Sequence, residues 1–273
     1  MCQLLLVLDK ENTESIMKKF LSLSSSTNLK CGHGIQYISN TNRYWSAYKN
    51  TLPPHLDETH MQLPITNNVI AHLREIYTKT LSSREINTEL TIHNTQPYQY
   101  NDMYFIHHGD WFRTDTNKKQ IFQRYHKHTN FIEPIASIRN MMNSQISKNI
   151  KGTTDSELMF HLFVQFLTDK QMSIRNYRDH IAKAWNKTIT TIAQCGFQNS
   201  SNVVFTHGNY VMFSNIYQNR SSLDIKQTSL YVNYQDGVTV CSSRIVPNMT
   251  PVSKNKIYIY NRRSKYLSEH NVA

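Results

Sequence analysis

The apolar positions of this chain fall into runs whose spacing changes along its length. The first, from Cys2 to Leu8, is short, continuous and rich in branched side chains. That is the pattern of a strand covered on both faces, and it sets Cys2 at the beginning of a buried strand. Ile16, Met17, Phe20 and Leu21 then recur at helical spacing, which predicts a helix from about Thr13, capped by Asn12 or Thr13 and dying in the serine run Ser22 to Ser26. Gly32 to Gly34 is expected to turn the chain into a strand over Ile35 to Ile38. Val69 to Leu73 and Glu89 to Ile92 read as strands or strand-like segments flanking a polar loop, and Met103 to Ile106 as a compact strand that ends at His107.

Between Ser156 and Leu167 apolar residues cover nearly every face, so this segment is expected to be a buried helix. A second helix, from about Ile174 to Cys195, carries Ile181, Ala184, Trp185, Ile189, Ile192 and Ala193 on one side, with Gly196 placed to end it in a left-handed cap. The last third turns to strands: Asn202 to Phe205, Tyr210 to Asn215, Ser229 to Tyr234, Val238 to Cys241 and Lys256 to Tyr260. Asp236-Gly237 between two of these is a two-residue hairpin signal. Strands, two consecutive helices and further strands predict layered α+β packing, taken as one domain over 2–273 with two smaller domains as the alternative.

The bulk composition narrows this picture without redirecting it. A hydrophobic share of 39% with 16 Tyr and 11 Phe is ordinary for a globular chain. The mean hydropathy of -0.55 comes from Asn, Gln, Thr and Ser more than from charge. No window approaches the roughly 18 apolar residues of a membrane helix, and Leu4 to Leu8 is too short for a secretory signal, so a cytoplasmic protein with no membrane partner is expected. Cys2, Cys31, Cys195 and Cys241 lie far apart without a Cys-x-x-Cys pair and read as reduced thiols. The net charge of +11 would attract polyanions, but it is scattered, with Arg262, Arg263 and Lys265 the densest group, and a basic solvated surface is favoured over a nucleic-acid interface.

Candidate chemistry starts at Cys2. If Met1 is removed, the mature chain begins with Cys, whose own α-amine titrates near pH ~8 and can accept the thiol proton; a small buried residue opening a strand is the plainer reading. Arg74, at the end of Ile70-Ala71-His72-Leu73-Arg74, can hold a carboxylate in a bidentate pair, or be a surface Arg. Phe105-Ile106-His107-His108-Gly109-Asp110 is expected to end a strand in a Gly-bearing turn, where backbone N–H groups can face a developing oxyanion. Gly152 to Glu157 reads as a capping segment before the buried helix, with Asp155 and Glu157 near its positive end. A metal reading of His107, His108 and Asp110 with His126 and His128 is disfavoured for want of a fourth ligand and spacing.

In order, the chain offers Met1-Cys2-Gln3-Leu4-Leu5, Cys31-Gly32-His33-Gly34, His72-Leu73-Arg74 and Asn94-Thr95-Gln96-Pro97-Tyr98. It continues with His107-His108-Gly109-Asp110, Thr154-Asp155-Ser156-Glu157, Thr206-His207-Gly208-Asn209 and Cys241-Ser242-Ser243. This collinear set resembles the type II glutamine amidotransferases, N-terminal nucleophile (Ntn) hydrolases, and most closely their stand-alone branch with a Met-Cys start. The resemblance implies an αββα sandwich in which Cys2 attacks the amide of glutamine, or another γ-glutamyl amide, through a thioester that water resolves, with no cofactor and no metal. It further implies that Gly109 supplies a backbone donor to the oxyanion, that Arg74 clamps the substrate carboxylate and Asp155 its amine, and that His107 belongs with the substrate-binding set. The family's oxyanion Asn is His108 here, a substitution that leaves one N–H donor on a neutral ring. His33 in place of Trp, Gln96 in place of His and Tyr98 in place of Phe imply an altered pocket.

Three functions are compatible with these residues: a glutaminase-type domain feeding ammonia to a separate acceptor subunit, a γ-glutamyl peptide hydrolase acting on glutathione-like substrates, and a scaffold that kept the fold without turnover. Nucleic-acid binding ranks below them.

Overall fold

The computed structural model of the chain describes residues 2–26, 32–39, 44–64, 67–76, 86, 89–115, 118–122, 126–169, 177–218 and 228–272. The opening apolar run forms β1 (Gln3–Leu8), buried from Leu4 to Leu8. It is the central strand of a seven-stranded sheet with β2 (His33–Ile38), β3 (Trp45–Asn50), β4 (Val69–Leu73), β10 (Tyr231–Asn233), β11 (Val238–Cys241) and β12 (Thr250–Pro251), in the order β12-β10-β11-β1-β4-β2-β3. A second sheet runs β14-β13-β9-β8-β6-β5, with β7 against β6. Its strands are β5 (Tyr98–Tyr100), β6 (Met103–Asp115), β7 (Lys118–Ile121), β8 (Gln198–His207), β9 (Tyr210–Gln218), β13 (Lys256–Asn261) and β14 (Tyr266–Asn271). The pairings within both sheets are antiparallel.

Side-chain alternation along the strands sorts the core into three layers. Leu4, Leu6 and Leu8 face the second sheet, where they meet Tyr104, Ile106, Val204, Val211 and Phe213. Leu5 and Val7 face the other way and are covered by Ile16, Met17, Phe20 and Leu21 of α1 (Thr13–Ser26). The outer face of the second sheet buries Phe105, Val203 and Phe205 beneath α4 (Asp155–Thr168) and α5 (Tyr177–Gln194). Helix, sheet, sheet, helix is the αββα sandwich that the family resemblance implied. Two shorter helices, α2 (Thr129–Asn140) and α3 (Ser144–Ser147), complete the second helical layer. Among the described residues no helix is long and apolar enough to cross a membrane.

Local signals explain the boundaries. The Thr154 side chain accepts a hydrogen bond from Glu157 N–H at 3.2 Å and starts α4, as its capping sequence predicts. Gly196 has φ 81, and Phe197 N–H reaches back to Ile192 O at 3.2 Å, closing α5 in a left-handed cap. The expected first turn, 174–176, lies outside the described residues. The Asp236-Gly237 hairpin joins β10 to β11 with φ 53 and 109 at its two residues.

Other expectations are corrected. The α1 helix runs through the serine run, because the hydroxyls of Ser22 and Ser24 fold back onto Lys19 O and Leu21 O instead of breaking the helix. Glu89 to Ile92 is no strand: Leu90 N–H bonds Ile86 O, and Thr91 caps a 3-10 turn over Ile92–Asn94. Gly34 sits inside β2 rather than in a turn before it. Most consequentially, β6 does not stop at His107 but continues through His108 and Gly109, paired with Asn202 and Ser201 of β8.

Candidate active site

The alternation that sends Leu4 toward the second sheet sends Cys2 to the same face, and on the neighbouring strand it does so for His72 and Arg74, since His72 pairs with Leu4. The start of β1 is held between two strand ends. Ser242, following β11, donates its N–H to Leu4 O and accepts from Leu4 N–H through Oγ at 2.9 Å, and its hydroxyl donates to Gln3 Oε1 at 2.8 Å, as does that of Ser243. On the other flank, Glu75 N–H points at Cys2 Sγ from 3.3 Å. The half-buried thiol of Cys2 thus lies one residue from Arg74.

From the second sheet, β6 turns His108 toward this gap, on the face shared with Tyr104 and Ile106. His108 is close enough to disfavour a charge on His72, and burial drives both ring pKa values down, His72 well below its usual range and His108 to about 4. Both are neutral near pH 7. Neither ring nitrogen of His108 has a hydrogen-bond partner among the described residues. A buried imidazole without a partner is costly, so this ring is a donor awaiting an acceptor.

The strand also presents its backbone. His107 N–H is taken by Gln96 Oε1 and Trp111 N–H by Asp155 Oδ2 at 2.9 Å, so residues of this parity point away from β8. Gly109 shares that parity, which turns its N–H to the same edge between them. The Gly-bearing turn expected here is instead a strand edge. Hydropathy missed it because Ser200, Ser201 and Asn202 of β8 keep the polar stretch of β6 inside the ladder, before Trp111 and Phe112 resume the apolar burial.

His107 faces the helical layer. Ser201 Oγ gives its proton to Asn199, so His107 Nε2–H donates to Ser201, and Nδ1 accepts from Ser156 Oγ at 2.6 Å. Burial pushes its pKa down to about 3 and keeps this neutral form. With both nitrogens engaged, His107 corrects the expectation of a substrate contact: it ties α4 to the second sheet. Gln96 supports it with a second bond, Nε2–H to His107 O at 2.9 Å.

Asp155 is buried at the start of α4, accepting from Trp111 N–H through Oδ2 and from Ser156 N–H through Oδ1. Burial, then the neighbouring Asp110, raises its pKa to about 7. Arg74 is also engaged: its guanidinium donates to Glu89 O and pairs with Glu89 Oε2 at 3.1 Å. Asn94 links this pair to α4, donating to Glu89 Oε2 and accepting from Thr153 N–H at 2.9 Å. The structure therefore brings Cys2, His72, Arg74 and His108 to one gap between the sheets, and joins Arg74 to the Asp155 end of α4 through Glu89 and Asn94. Glu89 and His72 are members of this constellation that sequence reasoning did not single out; the only cue was His72 inside the quoted His-Leu-Arg segment. A cavity of about 860 Å³ lined by Asp9, Lys10, Tyr234 and Tyr260 lies at the far end of β1, roughly 20 Å away by strand rise, and holds none of these groups.

Gly34 binds the site to the fold. A Cβ there would lie 1.8 Å from Gln96 O and 2.7 Å from Pro97 Cδ. Gly34→Ala is expected to destabilise the protein by about 1–3 kcal/mol or more, read from urea midpoints.

No family profile matches the chain, and no curated protein matches it. Among solved structures it is similar to a glutamine aminotransferase class-II domain protein from Silicibacter pomeroyi, at 11% identity and TM-score 0.58, over 100% of both chains. It is also similar to the glutamine phosphoribosylpyrophosphate amidotransferase of B. subtilis, solved with ADP and GMP, at 12% identity and TM-score 0.62. That match covers 100% of this chain and 49% of the other, so this chain spans about half of that enzyme. At such identities the likeness establishes the fold, an Ntn-type glutamine amidotransferase-like sandwich.

Proposed function

We propose that this chain, which has the fold of the Ntn-type glutamine amidotransferases, hydrolyses the side-chain amide of glutamine with Cys2 as nucleophile. The observation that carries the reading is the convergence of Cys2, Arg74 and the unpartnered His108 on one gap between the sheets. Removal of Met1 exposes the α-amine, which takes the Cys2 thiol proton. The thiolate attacks the amide carbon, and the resulting oxyanion receives N–H donors from His108 and from the Gly109 backbone. Collapse expels ammonia, which carries off the proton held by the amine, and leaves a thioester. Water then attacks the thioester, giving glutamate and regenerating the thiol.

Arg74 binds the substrate carboxylate in this scheme, displacing the Glu89 carboxylate that it now holds, and Asp155 marks the end of the pocket where the substrate amine lies. His107 acts as a positioning residue through Ser156. The Arg74–Glu89 pair gives a second reading some support, since a clamp already filled by a protein carboxylate also suits a fold kept without turnover. The test is incubation of the purified full chain, its mature N-terminus checked by mass spectrometry, with glutamine and separately with glutathione. Ammonia from glutamine is the expected result. Release of the cysteinyl-glycine dipeptide from glutathione alone would move the assignment to γ-glutamyl peptides, and no product from either, with Cys2 at the mature N-terminus, would overturn it.

A further inference from the structure

Among the described residues, His33, Asp57 and His60 bring their ligand atoms within 4.8 Å of one another. They lie outside the amide pocket. His33 pairs with Leu73, whose side chain packs on the α1 side of the first sheet, so His33 faces away from the gap that holds His72 and Arg74. The implied place of His33 in an altered substrate pocket is thereby corrected: it belongs to the opposite face.

Hydrogen bonding fixes what His33 offers. Its Nδ1 lies 2.8 Å from Leu52 O, and only an N–H can donate to a carbonyl, so Nδ1 carries the hydrogen. Nε2 then points its lone pair at Asp57 Oδ2, 3.2 Å away. Two acceptors facing each other across that distance need a cation between them. The remaining oxygen of Asp57 accepts from Thr59 N–H at 3.1 Å, and Tyr48 Oη donates to Oδ2 at 2.7 Å, so the carboxylate is oriented from outside the cluster. His60 stands edge-on to His33 with ring centroids 5.4 Å apart, and its buried Nδ1 has no hydrogen-bond partner among the described residues.

We infer that His33, Asp57 and His60 form a binding site for one zinc-class divalent cation, with water as its fourth ligand. A tetrahedral ion with bonds of about 2 Å sets its ligand atoms roughly 3.3 Å apart. The His33 to Asp57 separation already matches this, and His60, half-exposed in the 3-10 turn Thr59–Gln62, closes the remaining distance by a side-chain rotation. A carbonyl holding the far nitrogen of a ligating histidine is the usual outer shell of such sites, and two imidazoles with one carboxylate suit zinc better than calcium or magnesium. The ion would fasten the segment 52–62 to the edge of β2, where Gly32 O receives Arg74 N–H.

The test is zinc titration of the metal-stripped full chain against a chromophoric chelator, with cobalt(II) as a spectroscopic stand-in. One equivalent of zinc, a tetrahedral cobalt spectrum, and affinity lowered about tenfold or more in both His60→Ala and Asp57→Asn are expected. His33 is fully buried and its replacement risks the fold, whereas His60 is half-exposed, so His60→Ala decides the matter. No bound equivalent, or one that survives both substitutions unchanged, overturns the site. Neither outcome depends on hydrolysis at Cys2.

Discussion

Replacing Cys2 by Ala is expected to lower ammonia release from glutamine by about 10³-fold or more, because removal of an attacking nucleophile leaves only binding and oxyanion donors to assist water. The same change should scarcely alter stability. Cys2 precedes β1, is half-buried, and meets the backbone of Glu75 through long contacts to its thiol, while the strand itself is held by Leu4 to Leu8 and by the serines after β11. Initial rates and thermal midpoints of both proteins check the two halves of the claim. A variant that keeps its turnover would remove Cys2 from the chemistry, and one that loses its fold would make it a structural residue.

The second large effect concerns protons. His108 has a folded pKa of about 4 against an unfolded value of roughly 6.5. Between those values the unfolded chain binds the proton and the folded one does not, so the contribution of this ring is fully present above pH ~6.5 and is lost as pH falls toward 4. The difference corresponds to about 3 kcal/mol. Asp155 works in the opposite direction, since its folded carboxyl keeps a proton up to about pH 7 and favours the folded state as pH falls. Total stability therefore mixes these with the lowered rings of His72 and His107. His108→Asn removes one titration and leaves the others, so from pH 7 to pH 4 the stability gap between the proteins should move by about 3 kcal/mol in favour of the variant. Urea unfolding at both pH values measures it; a gap that stays constant would show that His108 is readily protonated in the folded state.

Much of the fold was legible because the driving pattern was apolar. The run Leu4 to Leu8, the all-round hydrophobic α4 and the Asp236-Gly237 turn each announce one structure, and each appears where its pattern places it. Polar strands were less legible. The stretch His107 to Asp110 reads as a strand end, yet it is a ladder whose polar side chains are satisfied across β8 and α4, a condition that no single segment reveals. Helix α2, with Pro134 inside it and no side-chain cap, gave no signal either.

The site was legible in part for the same reason. Cys2, Arg74 and His108 could be nominated from their order along the chain, but not their common gap, which depends on strand parity in two different sheets. Glu89 and the His33, Asp57, His60 group depend on loops returning to strand ends, and loop paths leave no periodic trace. The sequence offers metal ligands by proximity in His107, His108, Asp110, His126 and His128. The clustered set instead joins β2 to a turn more than twenty residues later.

The proposed nucleophile and the proposed oxyanion donors stand on opposing sheets, with Leu4, Leu6 and Leu8 on one side of the seam and Ile106, Val204 and Phe213 on the other. Displacement of reacting groups by about 1 Å can cost on the order of 10²-fold in rate. Under the proposed chemistry that seam is a spacer as well as a core: its thickness would set the reach of the sulfur, and side chains with no chemistry of their own would hold the gauge of the reaction.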